Sequence, residues 1–156
     1  MTKEELGALI ISSERQLYVT AKSILRDDQN CADAIQESIV KAFSNIKNLK
    51  KDSYAKTWLI RILINECYNI IRKNTTYVSL EDTQVESIPV DENGDYSELY
   101  MAVNALKDEL RIPVILYYIE ELSIREIAQI LEISEGAVQK RLARARGKLK
   151  RSIDIA

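Results

Sequence analysis

A stretch poor in apolar residues divides this 156-residue chain and limits what it can fold into. Residues 75–98, TTYVSLEDTQVESIPVDENGDYSE, carry seven acidic side chains and no basic one. Such a composition, which includes Pro89 and Gly94, buries too little apolar surface to fold by itself and is typical of a flexible linker. The sequence therefore predicts two small domains, residues 1–74 and 99–156, joined by an acidic linker at residues 75–98.

Both flanking blocks have the composition and the periodicity of helices. Leu, Ile and Ala dominate the apolar residues, whereas the whole chain contains only four Gly and two Pro. No segment alternates strictly between apolar and polar positions, and apolar side chains instead recur at helical spacing, as in Leu6, Leu9 and Ile10. We therefore expect an all-α fold, with three or four helices in the first block.

The distribution of charge suggests a polyanionic partner. The first block has a net charge of +3, the linker −7 and the second block +2. From Gln139 to Arg151, seven Lys or Arg side chains occur without an acidic one. Because this segment has no acidic partners for i,i+4 ion pairs, its cations repel one another unless a polyanion is present. We interpret it as a nucleic-acid-binding helix, in preference to a solvated basic helix.

The segment LSIREIAQILEISEGAVQKRLARARGKLK has the pattern of a helix-turn-helix. Its first half repeats apolar residues at helical spacing, EIS forms a short turn, and Ser134 is a suitable N-cap for the second helix. The predicted buried stripe of that second helix is Val138, Leu142, Ala145 and Leu149.

The residues before this motif are expected to form its support. Pro113 fits the first turn of a helix better than a helix interior. After it, Val114, Leu116 and Ile119 are expected to pack beneath the motif. Tyr117 is expected in the same packed layer. We interpret Tyr117 and Tyr118 as core and boundary residues rather than functional ones.

The start of the second helix of such a motif reaches base edges in DNA. Gln139, Lys140, Arg141 and Arg144 are therefore candidates for base contacts, since amide and cationic side chains pair with adenine and guanine edges. Arg146 and Lys148, followed by Lys150 and Arg151, are candidates for phosphate contacts.

The helix TWLIRILINECYNIIRK in the first block is apolar except along one narrow stripe. The stripe consists of Thr57, Arg61, Asn65, Tyr68 and Arg72. Hydrogen-bonding groups, an aromatic ring and two arginines suit a strand with unpaired bases, although a polar face towards solvent fits the same residues. In the preceding helix, CADAIQESIVKAFSNI, we expect the inward positions to be Ile35, Ile39, Ala42 or Phe43, and Ile46.

Several function classes are disfavoured by what the sequence lacks. It contains no His, no Gly-rich phosphate loop, no metal-ligand cluster and no nucleophile–base set, so we expect neither an enzyme nor a cofactor or metal site. Cys31 and Cys67 are expected to be free thiols in a core. No run of roughly 18 apolar residues and no signal peptide is apparent, which predicts a cytoplasmic protein without membrane insertion.

Two segments together resemble one family. ILRDDQNCADAIQESIVKAFSNI, followed by TWLIRILINECYNIIRK, resembles the promoter-melting domain of the extracytoplasmic-function (ECF) sigma factors of bacterial RNA polymerase. The helix-turn-helix segment is similar to the upstream-element domain of the same family. Order and lengths agree, and the resemblance covers nearly the whole chain. It implies a protein that binds core RNA polymerase, directs it to specific promoters and initiates transcription there.

The resemblance also implies roles for individual residues. Polymerase contacts fall on Asp33, Gln36 and Glu37. Binding of the −10 element and capture of a flipped base fall on Tyr54, Lys56, Thr57, Trp58, Arg61, Asn65, Tyr68 and Arg72. Recognition of the −35 element falls on Gln139, Lys140, Arg141 and Arg144, with Arg146 and Lys148 beside them. The linker would thread towards the active-site cleft of the polymerase, and a membrane-associated anti-sigma factor would cover both DNA faces.

The chain departs from the family pattern at two positions. Ala55 stands where an aromatic residue is common, which makes the neighbouring Tyr54 the aromatic candidate for base capture. Glu132 stands where the turn of the motif often has Gly, so that a non-glycine residue must accept the dihedral angles of that turn.

The alternative that remains open is a stand-alone helix-turn-helix regulator acting on duplex operator DNA. Such a regulator usually dimerises to read two half-sites. The sequence offers no heptad seam for a dimer, and residues 1–74 would have no role in it. Binding to a duplex operator without polymerase would favour this alternative.

Overall fold

The computed structural model of this chain describes residues 1–77 and 97–154, and every regular element in those ranges is helical. The chain divides into two compact units, Met1–Glu86 and Ser87–Ala156. The expectation of an all-α protein with two helical domains is therefore confirmed. Most of the predicted acidic linker, residues 78–96, lies outside the described residues, and the boundaries at residues 74 and 99 stay predictions.

Four helices form the first unit. They are α1 (Lys3–Ser12), α2 (Glu14–Leu25), α3 (Asp28–Ser44) and α4 (Ala55–Tyr77), with 3₁₀ turns at Ile46–Asn48 and Asp52–Tyr54 between the last two. Local chemistry sets the starts of two of them: Thr2 and Glu5 form a capping box on α1, and the Asp27 carboxylate accepts from the backbone N–H of Asn30 on α3. The core centres on fully buried apolar residues such as Leu6, Leu59 and Leu63.

The buried face of α3 differs from the predicted one. Small residues occupy it, namely Cys31, Ala34, Ser38 and Ala42, whereas Ile35 and Ile39 are only half-buried, as are Phe43 and Ile46. The expectation for Ile35, Ile39 and Ile46 was therefore wrong, and that for Ala42 is confirmed. The physical reason is that α3 packs against both α2 and α4, and small side chains let helices approach closely. Ile35 and Ile39 instead line an open apolar groove of about 610 Å³ beside α1 and α2.

Two ion pairs tie the helices of the first unit together. Lys41 of α3 bonds to the nearly buried Glu66 of α4. The buried ammonium of Lys22 lies 2.7 Å from an oxygen of Asp28, and the Tyr18 hydroxyl donates to the same oxygen at 2.9 Å. These contacts fix α3 and α4, the two helices that carry the predicted polymerase and −10 residues.

The second unit consists of α5 (Ser97–Ala105), α6 (Asp108–Val114), a π-helical turn (Ile115–Ile119), α7 (Ile124–Leu131) and α8 (Glu135–Asp154). Helices α5, α6 and α7 all pack against α8, which supplies Val138, Leu142 and Ala145 to their shared core. The long α8 is therefore held along one side only, and its remaining circumference is available for contacts with other molecules.

Pro113 lies in the interior of α6, near its end, and not in a first turn as the sequence suggested. The helix already begins at Asp108, because Lys107 adopts the extended conformation of an N-cap. Proline has no N–H and its ring opposes the carbonyl four residues earlier, which disturbs a helix. Directly after it the chain widens into the π turn, where the Glu120 N–H donates to the Ile115 carbonyl at 3.0 Å. Ile119, expected to pack inward, is exposed at the end of that turn.

Candidate nucleic-acid interface

The turn between α7 and α8 has the geometry that a helix-turn-helix requires. Glu132 adopts the left-handed conformation, with φ 58° and ψ 43°, and thereby ends α7 without a glycine. The Ser134 hydroxyl accepts from the backbone N–H of Ala137 at 3.0 Å, which confirms the predicted N-cap of α8. The turn thus fixes where α8 begins, and with it which residues lie in its first two turns.

The circumference of α8 is divided between a buried stripe and an exposed cationic sector. Val138, Leu142 and Ala145 are buried as predicted, and Leu149 is half-buried at the end of the same stripe. The candidates for contacts with DNA on the exposed side are Gln139, Lys140, Arg144, Arg146 and Lys148, all of them exposed. A helix with this division can lie in a major groove while its other side stays in the protein.

Two arginines of α8 are engaged by the supporting segment. Arg141 is half-buried, and its Nε lies 3.8 Å from a carboxylate oxygen of Glu109 in α6. Arg146 donates from Nη1 to the Tyr118 hydroxyl in the π turn at 3.2 Å. Base reading by Arg141 stays a prediction, and the geometry favours Arg144 for that role because its side chain lies in the exposed sector.

Gly147 lies in the middle of the outward sector of α8. A Cβ built there would meet no atom of the described protein within 4 Å. The packing of the protein itself therefore does not require glycine at this position. A bare backbone on the exposed side of the helix lets a neighbouring molecule approach more closely.

Two further residues of the motif were missed by the sequence analysis. Arg125 and Gln129, one helical turn apart on the exposed side of α7, line a shallow hollow with Ser134 and Glu135 at the start of α8. The first helix of a helix-turn-helix crosses the DNA backbone, so these side chains are candidates for phosphate contacts. The i,i+4 spacing of two polar residues on the outer side of that helix was the available signal.

The predicted stripe on α4 is polar and accessible along the first part of the helix. Thr57, Arg61 and Asn65 are exposed, and the Asn65 amide donates to the Arg61 carbonyl at 3.0 Å. Tyr68 and Arg72 are half-buried, and the Arg72 guanidinium lies over the Tyr68 ring at 4.5 Å from its centroid. The five side chains thus lie on one side of α4, as their spacing predicted.

The loop before α4 presents one aromatic ring to solvent. Tyr54 is 59% exposed, with the Lys51 ammonium 5.7 Å from its ring centroid. Ala55 is buried as the first residue of α4, which makes Tyr54 the accessible aromatic at this point. Lys56 is exposed and Trp58 is half-buried beside it.

The candidate polymerase contacts share an exposed side of α3. Asp33, Gln36 and Glu37 are all exposed, and Asp33 accepts from the Gln29 amide at 3.1 Å. This side lies away from the small buried residues that pack against α4. The three polar groups are therefore available to another protein.

The described residues were also compared with what a metal site, a reactive thiol or a membrane span requires. Within 1–77 and 97–154, no three His, Cys, Asp or Glu residues are placed to hold a metal ion. Cys31 and Cys67 are buried free thiols, and burial raises the pKa of Cys31 to about 11, which suppresses its reactivity at neutral pH. None of the helices in the described part of the chain is long and apolar enough to span a membrane.

The helix-turn-helix and the polar side of α4 define a class, that of two-part helical DNA-binding transcription factors. Residues 9–76 match the family model for sigma-70 region 2, and residues 96–149 match that for sigma-70 region 4. The chain belongs to the ECF sigma factors of RNA polymerase. Members of this family are non-enzymatic initiation factors that bind RNA polymerase, so the expectations of family, function and absence of catalysis are confirmed.

Two sigma factors match this chain over most of its length. The sequence is 27% identical to RNA polymerase sigma factor SigV of Bacillus subtilis over 146 residues, which is 92% of this chain and 88% of the relative. It is 30% identical to ECF sigma factor SigM of Mycobacterium tuberculosis over 143 residues, or 88% of this chain and 71% of the relative.

Two solved structures have the same fold. One is the sigma factor RpoE of Bartonella quintana in complex with the anti-sigma factor NepR, with a TM-score of 0.68, 23% identity and coverage of 97% of this chain and 98% of that one. The other is CnrH in complex with the cytosolic domain of CnrY, with a TM-score of 0.59, 21% identity and coverage of 99% and 90%.

Proposed function

We propose that residues 99–156 select promoters by reading a −35 element with α8, while residues 1–74 bind core polymerase and the −10 element. The observation that carries this proposal is the exposed sector of α8, in which Lys140 and Arg144 lie opposite a buried stripe and Gln139 is exposed at its edge. A cationic helix held by one side only, and beginning at a capped turn, fits the major groove of duplex DNA.

The side chains in this sector have complementary hydrogen-bonding abilities. Arg144 can donate two parallel hydrogen bonds to the O6 and N7 atoms of guanine, and the Gln139 amide can pair with adenine. Lys140 supplies a point charge that suits either guanine or a phosphate. Arg146 and Lys148, with Arg125 on α7, lie where contacts to phosphates would fix the orientation of the helix.

Transcription with core polymerase tests the reading of the −35 element. The chain is combined with core polymerase on a promoter template, and promoter-specific transcripts are counted against transcripts from a template with a scrambled −35 element. We expect Lys140→Ala with Arg144→Ala to lower promoter-specific initiation at least about tenfold, because a good base contact contributes about 1–3 kcal/mol.

The matched control removes two cations elsewhere. Lys3→Ala with Lys107→Ala takes away the same charge from two exposed lysines outside α8, and we expect initiation within about twofold of the unmodified chain. Equal losses in both double variants would mean that net charge, and not the sector on α8, sets promoter choice. Duplex binding without polymerase that matches holoenzyme binding would favour a stand-alone regulator.

The −10 role is proposed for the side of α4 that carries Thr57, Arg61, Asn65, Tyr68 and Arg72. Its support is the exposure of the first three side chains and the aromatic ring of Tyr68 beside them. Arg61→Ala with Asn65→Ala should reduce the melted fraction of promoter DNA, measured with a fluorescent base in the −10 element. Lys3→Ala with Gln16→Ala, which also removes one cation and one amide, should leave that fraction unchanged.

The loop before α4 is proposed to capture a flipped base of the −10 element through Tyr54, with Lys56 and Trp58 beside it. Stacking of a base on an exposed aromatic ring contributes about 1–3 kcal/mol. Tyr54→Ala should therefore lower melting more than Tyr54→Phe, which keeps the ring. Equal losses in the two variants would contradict a stacking role.

Polymerase binding is proposed for Asp33, Gln36 and Glu37 on α3. Their support is that they share one exposed side of a helix that is fixed to α4 by the Lys41–Glu66 pair. Gln36→Ala with Glu37→Ala should weaken competition with another sigma factor for core polymerase. Glu4→Ala with Gln16→Ala, which removes the same two groups from α1 and α2, is the control that should compete normally.

Control by a membrane-associated anti-sigma factor in the cytoplasm is the last part of the proposal. It is supported by the two structural neighbours, of which one was solved with the anti-sigma factor NepR and the other with the cytosolic domain of CnrY. An inhibitor that covers the polar stripe of α4 and the exposed cationic sector of α8 would present carboxylates to their cationic side chains. Its inhibition of transcription should then weaken as salt is added, because exposed ion pairs are screened.

A further inference from the structure

The contact between Arg146 and Tyr118 joins the recognition helix to the π turn of its support. Arg146 donates from Nη1 to the Tyr118 hydroxyl at 3.2 Å, across 28 positions of sequence. The Tyr118 ring is held edge-on against Tyr117, with ring centroids 4.9 Å apart and planes at 87°. Tyr118 is nevertheless 50% exposed, so the residue lies at the surface of the protein.

We propose that Tyr118 and Arg146 form one composite site for a DNA phosphate. The proposal rests on the proposed reading of duplex DNA by α8. A phenolic hydroxyl that accepts one hydrogen bond keeps its own proton to donate, and a guanidinium carries five N–H donors in a fixed plane. Tyr118 therefore positions the guanidinium and donates its own proton to the same phosphate, to which Arg146 supplies charge.

The location of the pair favours a phosphate over a base edge. At 100° per residue, Arg146 lies about 70° from the centre of the buried stripe of α8, at the border with the supporting segment. Base edges are reached from the first turns of the helix, where Gln139 and Lys140 lie, and from the outward sector around Arg144, whereas side chains farther along the borders of a helix in the major groove meet the DNA backbone.

The other border of α8 has a different partner and illustrates why Tyr118 suits a phosphate. There Arg141 faces the Glu109 carboxylate, which offsets its charge. The Tyr118 hydroxyl is neutral and leaves the full charge of Arg146 available to an anion. Because the guanidinium is already oriented, less side-chain freedom is lost when the phosphate binds.

The test uses holoenzyme assembled from the full chain and core polymerase on promoter DNA, with binding measured at several salt concentrations. We expect Tyr118→Phe, which keeps the ring and removes the hydroxyl, to weaken binding about threefold to tenfold. In the Arg146→Ala background, the same change should weaken binding by less than about twofold, since the phosphate is no longer held there. Tyr117→Phe is the matched control and should bind as the unmodified chain does.

The dependence of binding on salt separates a positioning role from a structural one. Arg146→Ala should lower the slope of log K against log salt by about 0.9, the contribution of one neutralised phosphate. Tyr118→Phe should leave that slope unchanged, since it removes no charge. A hydroxyl that matters only for folding would lower the melting temperature and weaken binding equally in both backgrounds.

Three results would overturn the composite site. They are normal binding by Tyr118→Phe, losses that simply add in the double variant, and an equal loss in Tyr117→Phe. None of these affects the proposed reading of the −35 element, which would fail differently: the unmodified holoenzyme would then not discriminate between the promoter and a template with a scrambled −35 element.

Discussion

The two units present their cations in different ways. On α4, Arg72 lies over the ring of Tyr68 and the Asn65 amide bonds to the Arg61 carbonyl, so each contact joins residues one helical turn apart. On α8, Arg141 and Arg146 are engaged by α6 and by the π turn, which are distant in sequence. The side of α4 is arranged largely within one helix, whereas the borders of α8 depend on packing.

Contacts within one helix and contacts between helices should respond differently when the core is loosened. Neighbours at i,i+4 stay together wherever the helix is formed. Partners on different helices stay together only while the helices keep their packing, so a loosened core would release Arg141 and Arg146 and leave the α4 contacts unaltered. Trp58, Cys31 and Cys67 all belong to the first unit, so they can report unfolding of that unit separately from the second.

The largest expected effect comes from a cavity in each core. Leu142 and Leu63 are both buried, and replacing a buried leucine with alanine costs about 2–5 kcal/mol. Leu142→Ala should lower the urea midpoint of the second unit, seen by far-UV circular dichroism, while the Trp58 fluorescence transition stays where it is. Leu63→Ala should shift the Trp58 transition instead.

In the Leu142→Ala protein, the hydrogen bond between Arg146 and Tyr118 should no longer strengthen promoter binding, because that contact depends on helix packing. Promoter binding by this variant should respond little to a further Tyr118→Phe change. If Leu142→Ala moved the Trp58 transition as far as Leu63→Ala does, the two units would not unfold separately.

A smaller effect is expected from two glycines that lie within helices and have open space around them. Gly7 of α1 and Gly147 of α8 both have open space where a Cβ would be, so alanine should stabilise each helix by up to about 1 kcal/mol. The thermal melting of both variants should rise. Only Gly147→Ala should weaken promoter binding, because its methyl group lies where DNA would approach.

Gly7→Ala is the control for the gain in helix stability alone. Promoter binding that improves in both variants would show that helix stability, and not close approach, decides binding at Gly147. The two substitutions are identical in chemistry and differ only in the surface that they alter.

A pH effect is expected in the first unit. Hydrogen bonds from Lys22, and then from Tyr18, lower the pKa of Asp28 below its ordinary value of 3.8. The ionised carboxylate therefore stabilises the folded unit above that ordinary value, and the contribution is lost as pH falls through the lower pKa of the folded state. Asp28→Asn should lower the urea midpoint seen by Trp58 at neutral pH and make it less sensitive to acid.

The matched control for this titration is Asp33→Asn, an exposed carboxylate on the same helix. It should leave the acid dependence of the Trp58 transition as it is. An unchanged acid dependence in Asp28→Asn would mean that other carboxylates, and not Asp28, cause the acid dependence of the first unit.

The smallest expected effect concerns the ion pair between Glu109 and Arg141. At 3.8 Å and partly exposed, such a pair contributes about 0–1 kcal/mol to stability. Glu109→Gln removes the competing carboxylate, so holoenzyme binding to promoter DNA should strengthen by about twofold and its salt slope should steepen. Asp108→Asn, next to it, removes an acid that pairs with the buried Arg111 instead and should not steepen the slope.

Much of the site was predictable because it depends on single helices. The periodicity of α8 predicted the buried residues Val138 and Leu142, and the N-cap at Ser134 followed from its position before the helix. The stripe on α4 likewise followed from spacing. These features depend on 3.6 residues per turn and on local hydrogen bonds, both of which can be derived from the order of residues.

The failures share a physical reason. Ile35 and Ile39 have the apolar character expected of a core, but α3 packs against two helices through its smaller residues, and side-chain size decided which side was buried. The interior place of Pro113 depended on where α6 begins. The contact between Tyr118 and Arg146 was not anticipated because the two residues lie 28 positions apart.

The sequence by itself determined the all-helical class, the N-cap at Ser134 and the division of charge, and its resemblance to known proteins over nearly the whole chain indicated the family. The first three follow from composition or from neighbours within a few positions. Only the tertiary structure decided which side of α3 is buried and which groups meet Arg141 and Arg146. Such contacts depend on the distance and angle between packed helices, and the periodicity of a single helix leaves both undetermined.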